Sequence, residues 1–339
     1  MNSIPKSIRE KLLDLEGKIF SPMTGGDFDN MALEIFKIQA LYCKPYSRYL
    51  ELLEIDPDKI NSPGQIPFLP VSIFKSHDIR CFEGSPEAIF TSSATTGMTP
   101  SSHPVKSLGL YKKSFTETFR LFFGEPSNYN ILALLPSYLE REGSSLVYMM
   151  ESLIDQSSKD ESGFYLYNFD HLYNKLRQLR DTGQKCILLG VTFALLDFAE
   201  RHSLEYPGLT VIETGGMKGR KKEGSRSEVH SKLKNAFGVG RIGSEYGMAE
   251  LMSQAWSFGE GLFHPSPRMR VVIRDLNDPF RYRKPGRSGG VNIIDLANLY
   301  SCSFIETEDL GIKEAGESFR ITGRINNSEI RGCNLLLEG

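Results

Sequence analysis

Apolar positions recur at helical spacing in the early part of the chain. Met31, Ile35, Ile38 and Tyr42, with Leu41 beside them, predict a helix opening near Asp29. A short charged helix is expected before it, over residues 6–15 and closed by Gly17. Another is expected after it, over residues 47–53 and stopped before Pro57. The stretch Ile66-Pro67-Phe68-Leu69-Pro70-Val71-Ser72-Ile73-Phe74-Lys75 breaks this period. Two prolines three apart demand extended backbone, so a buried extended segment is expected there.

From residue 131 the pattern becomes short continuous apolar runs separated by amphipathic stretches. Strands are expected over 131–135, 164–169, 186–191 and 209–213. Between them, helices are expected over 144–153, over 171–179 with Asp170 as cap, and over 193–201 with Thr192 as cap. Ser225 or Ser227 opens one more, reaching Phe237. Unalternating strands divided by amphipathic helices imply a mainly parallel sheet covered on both faces. Ligands of such sheets sit beyond the carboxyl ends of the strands. Past residue 265 the runs at 268–274, 290–295, 304–308 and 318–322 are strand-like and joined by turns bearing Pro and Gly. The expected organisation is a helical lead-in over 1–90 packed on the core, an αβ core over 91–264 and a β-rich subdomain over 265–339.

Composition narrows the class. The length of 339 residues suits about two domains, and the 40% apolar and 24% charged content is that of an ordinary soluble protein. A net charge of −2 exerts no general pull on nucleic acid or anionic membrane. No apolar run reaches the roughly 20 residues of a membrane span, and the N-terminus lacks the apolar core of a secretion signal. Five scattered cysteines (43, 81, 186, 302 and 333) show no CxxC spacing, and six dispersed histidines form no metal-ligand pattern. Reduced thiols and a cytoplasmic location are expected.

Candidate chemistry lies in the loops. Thr91-Ser92-Ser93-Ala94-Thr95-Thr96-Gly97 carries five hydroxyls and closes on glycine, a composition able to wrap phosphate oxygens, or else a solvated turn. It is not a Walker loop, since no Lys-Ser/Thr pair follows the last glycine. Glu213-Thr214-Gly215-Gly216 ends a strand with bare backbone, where a flat ligand can lie, or else makes a simple β-to-α turn. The basic cluster from Lys218 to Lys222 reads more simply as a solvated face. Gly243-Ser244-Glu245-Tyr246-Gly247-Met248-Ala249-Glu250, expected as a loop, does not meet the Gly-x-Ser-x-Gly spacing of a hydrolase elbow. Its Tyr246 can stack on a base or bond a phosphate, and Glu250 offers a hard oxygen for Mg²⁺, though such a residue is ordinarily a surface carboxylate. Asp309 in Thr307-Glu308-Asp309-Leu310-Gly311 and Arg324 after Gly323 suit the hydroxyls of a ribose or a phosphate.

Taken in order, residues 91–97, Tyr246-Gly247-Met248-Ala249-Glu250, Thr307-Glu308-Asp309-Leu310-Gly311 and Gly323-Arg324 resemble the core motifs of the adenylate-forming superfamily. More narrowly, Ile66 through Lys75, Glu213-Thr214-Gly215-Gly216 and Glu329-Ile330-Arg331-Gly332-Cys333 resemble the LuxE-type acyl-protein synthetases. The similarity runs from about Phe28 onward. It implies the large α/β N-terminal domain of that superfamily, a small β-rich C-terminal subdomain and no full C-terminal lid. It also implies a two-step reaction: a carboxylic acid, a fatty acid foremost, attacks Mg·ATP to give an acyl-adenylate. The acyl group then passes to a cysteine of the same protein, for an accepting reductase or carrier protein. By this resemblance Thr91, Ser92, Ser93, Thr95, Thr96 and Gly97 hold the phosphates, and Gly215 and Gly216 the adenine. Tyr246 touches adenine or the α-phosphate, Asp309 and Arg324 the ribose, Glu250 the Mg²⁺, and Cys333 accepts the acyl group.

Three positions depart from the family pattern: Ala94 replaces a usual glycine, Met98 a frequent lysine, and Asn327 the usual hinge aspartate. They leave room for a slower enzyme. The alternatives are an acyl-CoA or acyl-carrier ligase, and a non-catalytic subunit that binds nucleotide or acyl chain.

Overall fold

The computed structural model describes residues 3–92, 99–136, 142–215 and 225–325. The chain divides into two compact units, one of residues 1–73, 79–81 and 268–339, the other of residues 74–78 and 82–267. The smaller unit opens with α1 (Lys6–Lys18), α2 (Gly25–Tyr42), α3 (Lys44–Leu52) and a two-residue strand, β1 (Leu69–Pro70). Helix α2 begins where its cap demands: Thr24 accepts from the Asp27 amide at 3.2 Å, and Asp27 accepts from the Thr24 amide at 2.8 Å.

The larger unit follows with β2 (Ala88–Thr91), β3 (Ser102–Val105), α4 (Leu108–Phe123), β4 (Asn130–Leu134), α5 (Ser145–Ser157) and β5 (Gly163–Tyr165). It continues through α6 (Phe169–Asp181), β6 (Cys186–Val191), α7 (Thr192–Arg201), β7 (Leu209–Thr214) and α8 (Arg226–Phe237) to β8 (Gly243–Tyr246), β9 (Ala255–Ser257) and β10 (Leu262–Pro265). Its main sheet has the order β10-β9-β8-β7-β6-β4-β5, and β2 pairs with β3 as a separate hairpin. From β8 to β5 the strands are parallel, as the unbroken apolar runs of β4 and β6 imply, while β9 and β10 continue the sheet in antiparallel pairing. The chain then returns to the smaller unit as β11 (Met269–Arg274), β12 (Ser288–Asp295), β13 (Phe304–Lys313) and β14 (Phe319–Arg324). These four form an antiparallel series, with β1 parallel to β13.

The sequence pattern missed α4 and the strands β2, β3, β9 and β10. Helix α4 escaped because its buried face mixes polar with aromatic residues: Ser114, Thr116 and Thr118 are buried beside Tyr111, Phe115 and Phe119. The extended segment expected over 66–75 is strand only at Leu69–Pro70 and then turns as a 3₁₀ helix, Val71–Lys75. Asp170 is not the cap of α6; Asn168 stands there, and Asp170 lies in the first turn, 3.1 Å from His202. Phe169, expected to end a strand, starts that helix.

The helical lead-in and the late strands share one core. Phe304 of β13 lies 5.9 Å edge-on to Phe36 of α2, 6.2 Å stacked with Tyr46 of α3, and 6.3 Å from Phe68. Gln39, fully buried on α2, donates to the carbonyls of Asn298 (2.9 Å) and Leu299 (3.2 Å) and accepts from the Ser303 amide at 2.9 Å. These bonds satisfy the backbone of the tight β12–β13 connection. Replacing Gln39 by Leu orphans them, and a loss of roughly 2–4 kcal/mol is expected. A urea titration checks it: the midpoint should fall while the slope stays constant.

Candidate functional site

In the larger unit the candidate residues stand on the β2–β3 hairpin, at the carboxyl end of β7 and on the turn after β8. The hairpin has Thr91↔Ser102 as its last described pair. Its base is tied twice: Ser92 N donates to Ser101 O (3.3 Å), and Ser101 N donates to Ser92 Oγ (2.9 Å). Thr91 also donates from its amide to Gly143 O at 2.8 Å and from its hydroxyl to Glu142 O at 3.3 Å. Gly143 has φ +78°, and a Cβ there would stand 2.7 Å from Ile89 O, so only glycine permits this close crossing. Thr91 and Ser92 are thus held at the mouth of the hydroxyl-rich loop, while Ser93, Ala94, Thr95, Thr96, Gly97 and Met98 lie outside the described residues.

The hairpin is fastened to the next candidate loop by His103. This residue of β3 is buried, and its Nδ1 lies 2.8 Å from Ala249 O, so it carries the proton on Nδ1 and donates it. Burial holds its pKa down, to about 4, despite the carbonyl partner. Ala249 precedes Glu250, so a neutral histidine anchors the turn that presents that carboxylate. The expected loop 243–250 is in fact half strand: Gly243–Tyr246 is β8, and the turn occupies the rest. Gly243 fits there because a Cβ would come 2.9 Å from Ser257 O of β9. Glu250 is not a surface carboxylate; it is 4% exposed.

Side chains alternate along β7 and β8, so Glu213 and Thr214 face opposite sides of the sheet. Glu213 points toward α7 and α8. It accepts from Thr192 Oγ1 (2.7 Å) and Ser244 Oγ (2.6 Å), and His230 Nε2 lies 3.7 Å away, an electrostatic approach longer than a hydrogen bond. Burial alone would raise its pKa. The contributions of His230, Ser244 and Thr192 and the charge of Arg226 outweigh it and leave the group below the usual carboxylate range. Thr192, expected as a helix cap, is instead the first residue of α7 and has its hydroxyl spent on Glu213.

On the other face Thr214 Oγ1 donates to Glu245 Oε2 at 2.5 Å. Burial pushes Glu245 up to about 7, Thr214 works against that shift, and the Glu213 charge adds to it. The Glu245 carboxyl folds back over Gly247, where a Cβ would collide with Oε1. Tyr246 is partly exposed and lies 5.8 Å from Phe263, over which the Arg226 guanidinium sits at 5.4 Å. Gly215, with φ +75°, ends β7; Gly216 and the 218–222 basic cluster lie outside the described residues.

Asp309 and Arg324 belong to the smaller unit. They are register partners across β13 and β14, with Arg324 Nε 3.4 Å from Asp309 Oδ1. Asp309 is nearly buried, and its amide bonds Thr307 Oγ1 at 3.1 Å. Behind this strand Arg274 donates to Thr307 O (2.8 Å), Val291 O (2.9 Å) and Asn292 Oδ1 (2.8 Å), and sits 3.4 Å from Glu306. Burial lowers the Arg274 pKa and raises that of Glu306, each partly offset by the other's charge. Asn327 and Cys333 lie outside the described residues; Cys43, Cys81, Cys186 and Cys302 are buried and form no disulfide with one another. Sequence reasoning missed His103, Thr192, Glu245 and Arg274. Their partners are distant in the chain, so no local spacing announces them.

Among the described residues no cluster of three or more His, Cys, Asp or Glu can cage a metal ion. A single buried carboxylate such as Glu250 fits Mg²⁺, which takes one or two protein oxygens and completes its shell with phosphate oxygens and water. No helix among the described residues is long and apolar enough to cross a membrane.

The sequence matches no family model and no curated protein. Among solved structures, 2-hydroxyisobutyryl-CoA ligase in the postadenylation state with R3-HIB-AMP superposes with a TM-score of 0.64 at 13% identity, over 95% of this chain and 69% of that one. ATP-bound MatB from Rhodopseudomonas palustris gives 0.53 at 15% identity, over 71% and 49% of the two chains. A long-chain-fatty-acid–CoA ligase (FadD1) from Archaeoglobus fulgidus gives 0.52 at 15% identity, over 74% and 53%. The chain thus has the mixed α/β fold of the N-terminal domain of adenylate-forming ligases. It spans about half the length of the MatB structures.

The carboxyl of Glu245 binds its proton more tightly in the folded chain than in the unfolded one, so it contributes stability at low pH. That contribution is lost as pH rises from the ordinary glutamate range through about 7. Glu245→Gln should therefore be more stable than wild type at pH 8, by on the order of 1–2 kcal/mol after allowing for solvent screening, and indistinguishable at pH 4. Chemical denaturation at the two pH values reads the difference.

Proposed function

We propose that this chain activates a carboxylic acid, a fatty acid foremost, with ATP, and then carries the acyl group on Cys333. The observation that supports this most directly is a pair of hydrogen bonds in the larger unit. His103 to Ala249 joins the hydroxyl-rich hairpin to the Tyr246–Glu250 turn, and Thr214 to Glu245 joins that turn to the end of β7. The β2–β3 hairpin, the turn after β8 and the end of β7 are thus tied together beside the carboxyl ends of parallel strands, and ligands of such sheets bind at that end.

In the proposed reaction a carboxylate oxygen of the acid attacks the α-phosphorus. The bond to the bridging oxygen breaks, and pyrophosphate leaves with its electron pair. Thr91 and Ser92, with Ser93, Thr95, Thr96 and Gly97, hold the departing phosphates through hydroxyls and backbone amides. Gly215, Gly216 and Tyr246 receive the adenine, and Asp309 and Arg324 the ribose hydroxyls. Glu250 would hold Mg²⁺, and the ion would supply positive charge to offset that of the phosphates. Little covalent work is asked of the protein in this step, which suits a site built from positioned oxygens. The Cys333 thiolate then attacks the acyl carbon and expels AMP, giving a thioester that a reductase or carrier protein accepts. The CoA-ligase neighbours favour a second reading, in which CoA takes the acyl group directly.

Glu250→Ala and Asp309→Ala should each lower carboxylate-dependent ATP–pyrophosphate exchange about ten-fold or more with melting unchanged. Wild-type exchange in both variants would remove these residues from the nucleotide site. Incubation with ATP and a labelled fatty acid should leave label on the protein that neutral hydroxylamine releases. Cys333→Ala should lose the label and keep the exchange. A wild-type protein that exchanges and acylates CoA, yet never labels, is a ligase of the second kind.

A further inference from the structure

We propose that Glu245 is a positioning residue for nucleotide use, its carboxyl acting as the clasp that holds the Tyr246–Glu250 turn against the end of β7. The inference rests on the nucleotide reading of that turn and extends it to a residue outside the motif. Its geometry has three parts. Thr214 Oγ1 grips Oε2 at 2.5 Å, so the clasp reaches from β8 to the neighbouring strand beside Gly215. The carboxyl lies over Gly247, filling the space that any larger residue there would need. Trp256 of β9 is the register partner of Glu245, which backs the clasp on the side away from β7. Tyr246 is the adjacent residue, and the same turn ends at Ala249, which His103 holds. A shift of the clasp therefore moves Tyr246 against a turn whose far end is fixed.

The charges around the clasp make it responsive. Glu213 stands on β7, with Arg226 and His230 of α8 beyond it, and Glu250 closes the turn. With Glu245 held near neutrality by burial and the Glu213 charge, the clasp is protonated below about pH 7 and anionic above it. An anionic clasp repels Glu213 and any polyphosphate bound beside Tyr246, so nucleotide use should weaken as pH rises.

The test measures KM for ATP and kcat in pyrophosphate exchange at pH 6 and pH 8, with the emission of Trp256, the one tryptophan of the chain, followed over the same range. Wild type should show a higher KM at pH 8 and a Trp256 titration centred near pH 7. Glu245→Gln mimics the protonated clasp and should remove the Trp256 titration and flatten KM, apart from ATP's own ionisation. Thr214→Val and Gly247→Ala open the clasp and should raise KM roughly ten-fold at both pH values with kcat little changed. A merely structural role predicts kcat and melting temperature falling together with KM unchanged, and that pattern would overturn the proposal. So would wild-type KM and pH dependence in all three variants, with exchange intact. Absence of exchange in wild type with every acid tried would instead sink the nucleotide reading, and this proposal with it.

Discussion

The buried carboxylate of Glu213 is the constraint from which the geometry at the carboxyl ends of β7 and β8 follows. A carboxylate removed from water persists only if hydrogen bonds or nearby charges compensate it, and here three elements converge to do so. Thr192 from the start of α7 and Ser244 from β8 donate to it, and His230 of α8 approaches to 3.7 Å, so the group fixes where two helices and a strand stand relative to β7. Its depressed pKa means that this stabilisation is present at neutral pH and lost as acid protonates it. Removing any one partner leaves a buried charge under-satisfied, which costs more than a surface pair of the same kind returns.

Because side chains alternate along parallel strands, fixing Glu213 on one face fixes Thr214 and Glu245 on the other. The two carboxylates, one residue out of phase on neighbouring strands, therefore take different roles. Glu213, surrounded by donors, stays ionised; Glu245, with one hydroxyl and a like charge nearby, is held near neutrality. Environments that push two nearby acids apart are a common mark of functional edges of enzymes. The same logic recurs in the smaller unit, where Arg274 fills the space left by Gly290 and braces the strand that carries Asp309.

Much was legible in the chain before any coordinates. Continuous apolar runs at Cys186–Val191 and Leu209–Thr214 define buried parallel strands because a strand covered on both faces has no polar side to show. Ser225 opens α8 with a capping box, a purely local device that local sequence encodes. The order of the loop motifs likewise pointed to an adenylate-forming fold. Local signals failed where polar residues are buried: α4 hides hydroxyls among its aromatics, and β8 carries Ser244 and Glu245 in what looked like a loop.

What the sequence by itself determined, then, is the alternation of strands and helices through the larger unit and the run of late strands in the smaller one. Only the tertiary structure decided which of those residues act on one another. Thr192 reads as a helix cap until Glu213, 21 residues on, claims its hydroxyl; His103 carries no local signal, and its role appears only once Ala249, 146 residues on, accepts its Nδ1 hydrogen bond. A side chain's chemistry belongs to the residue, but its burial, its partner and hence its pKa belong to elements distant in the chain, and no spacing rule reaches that far.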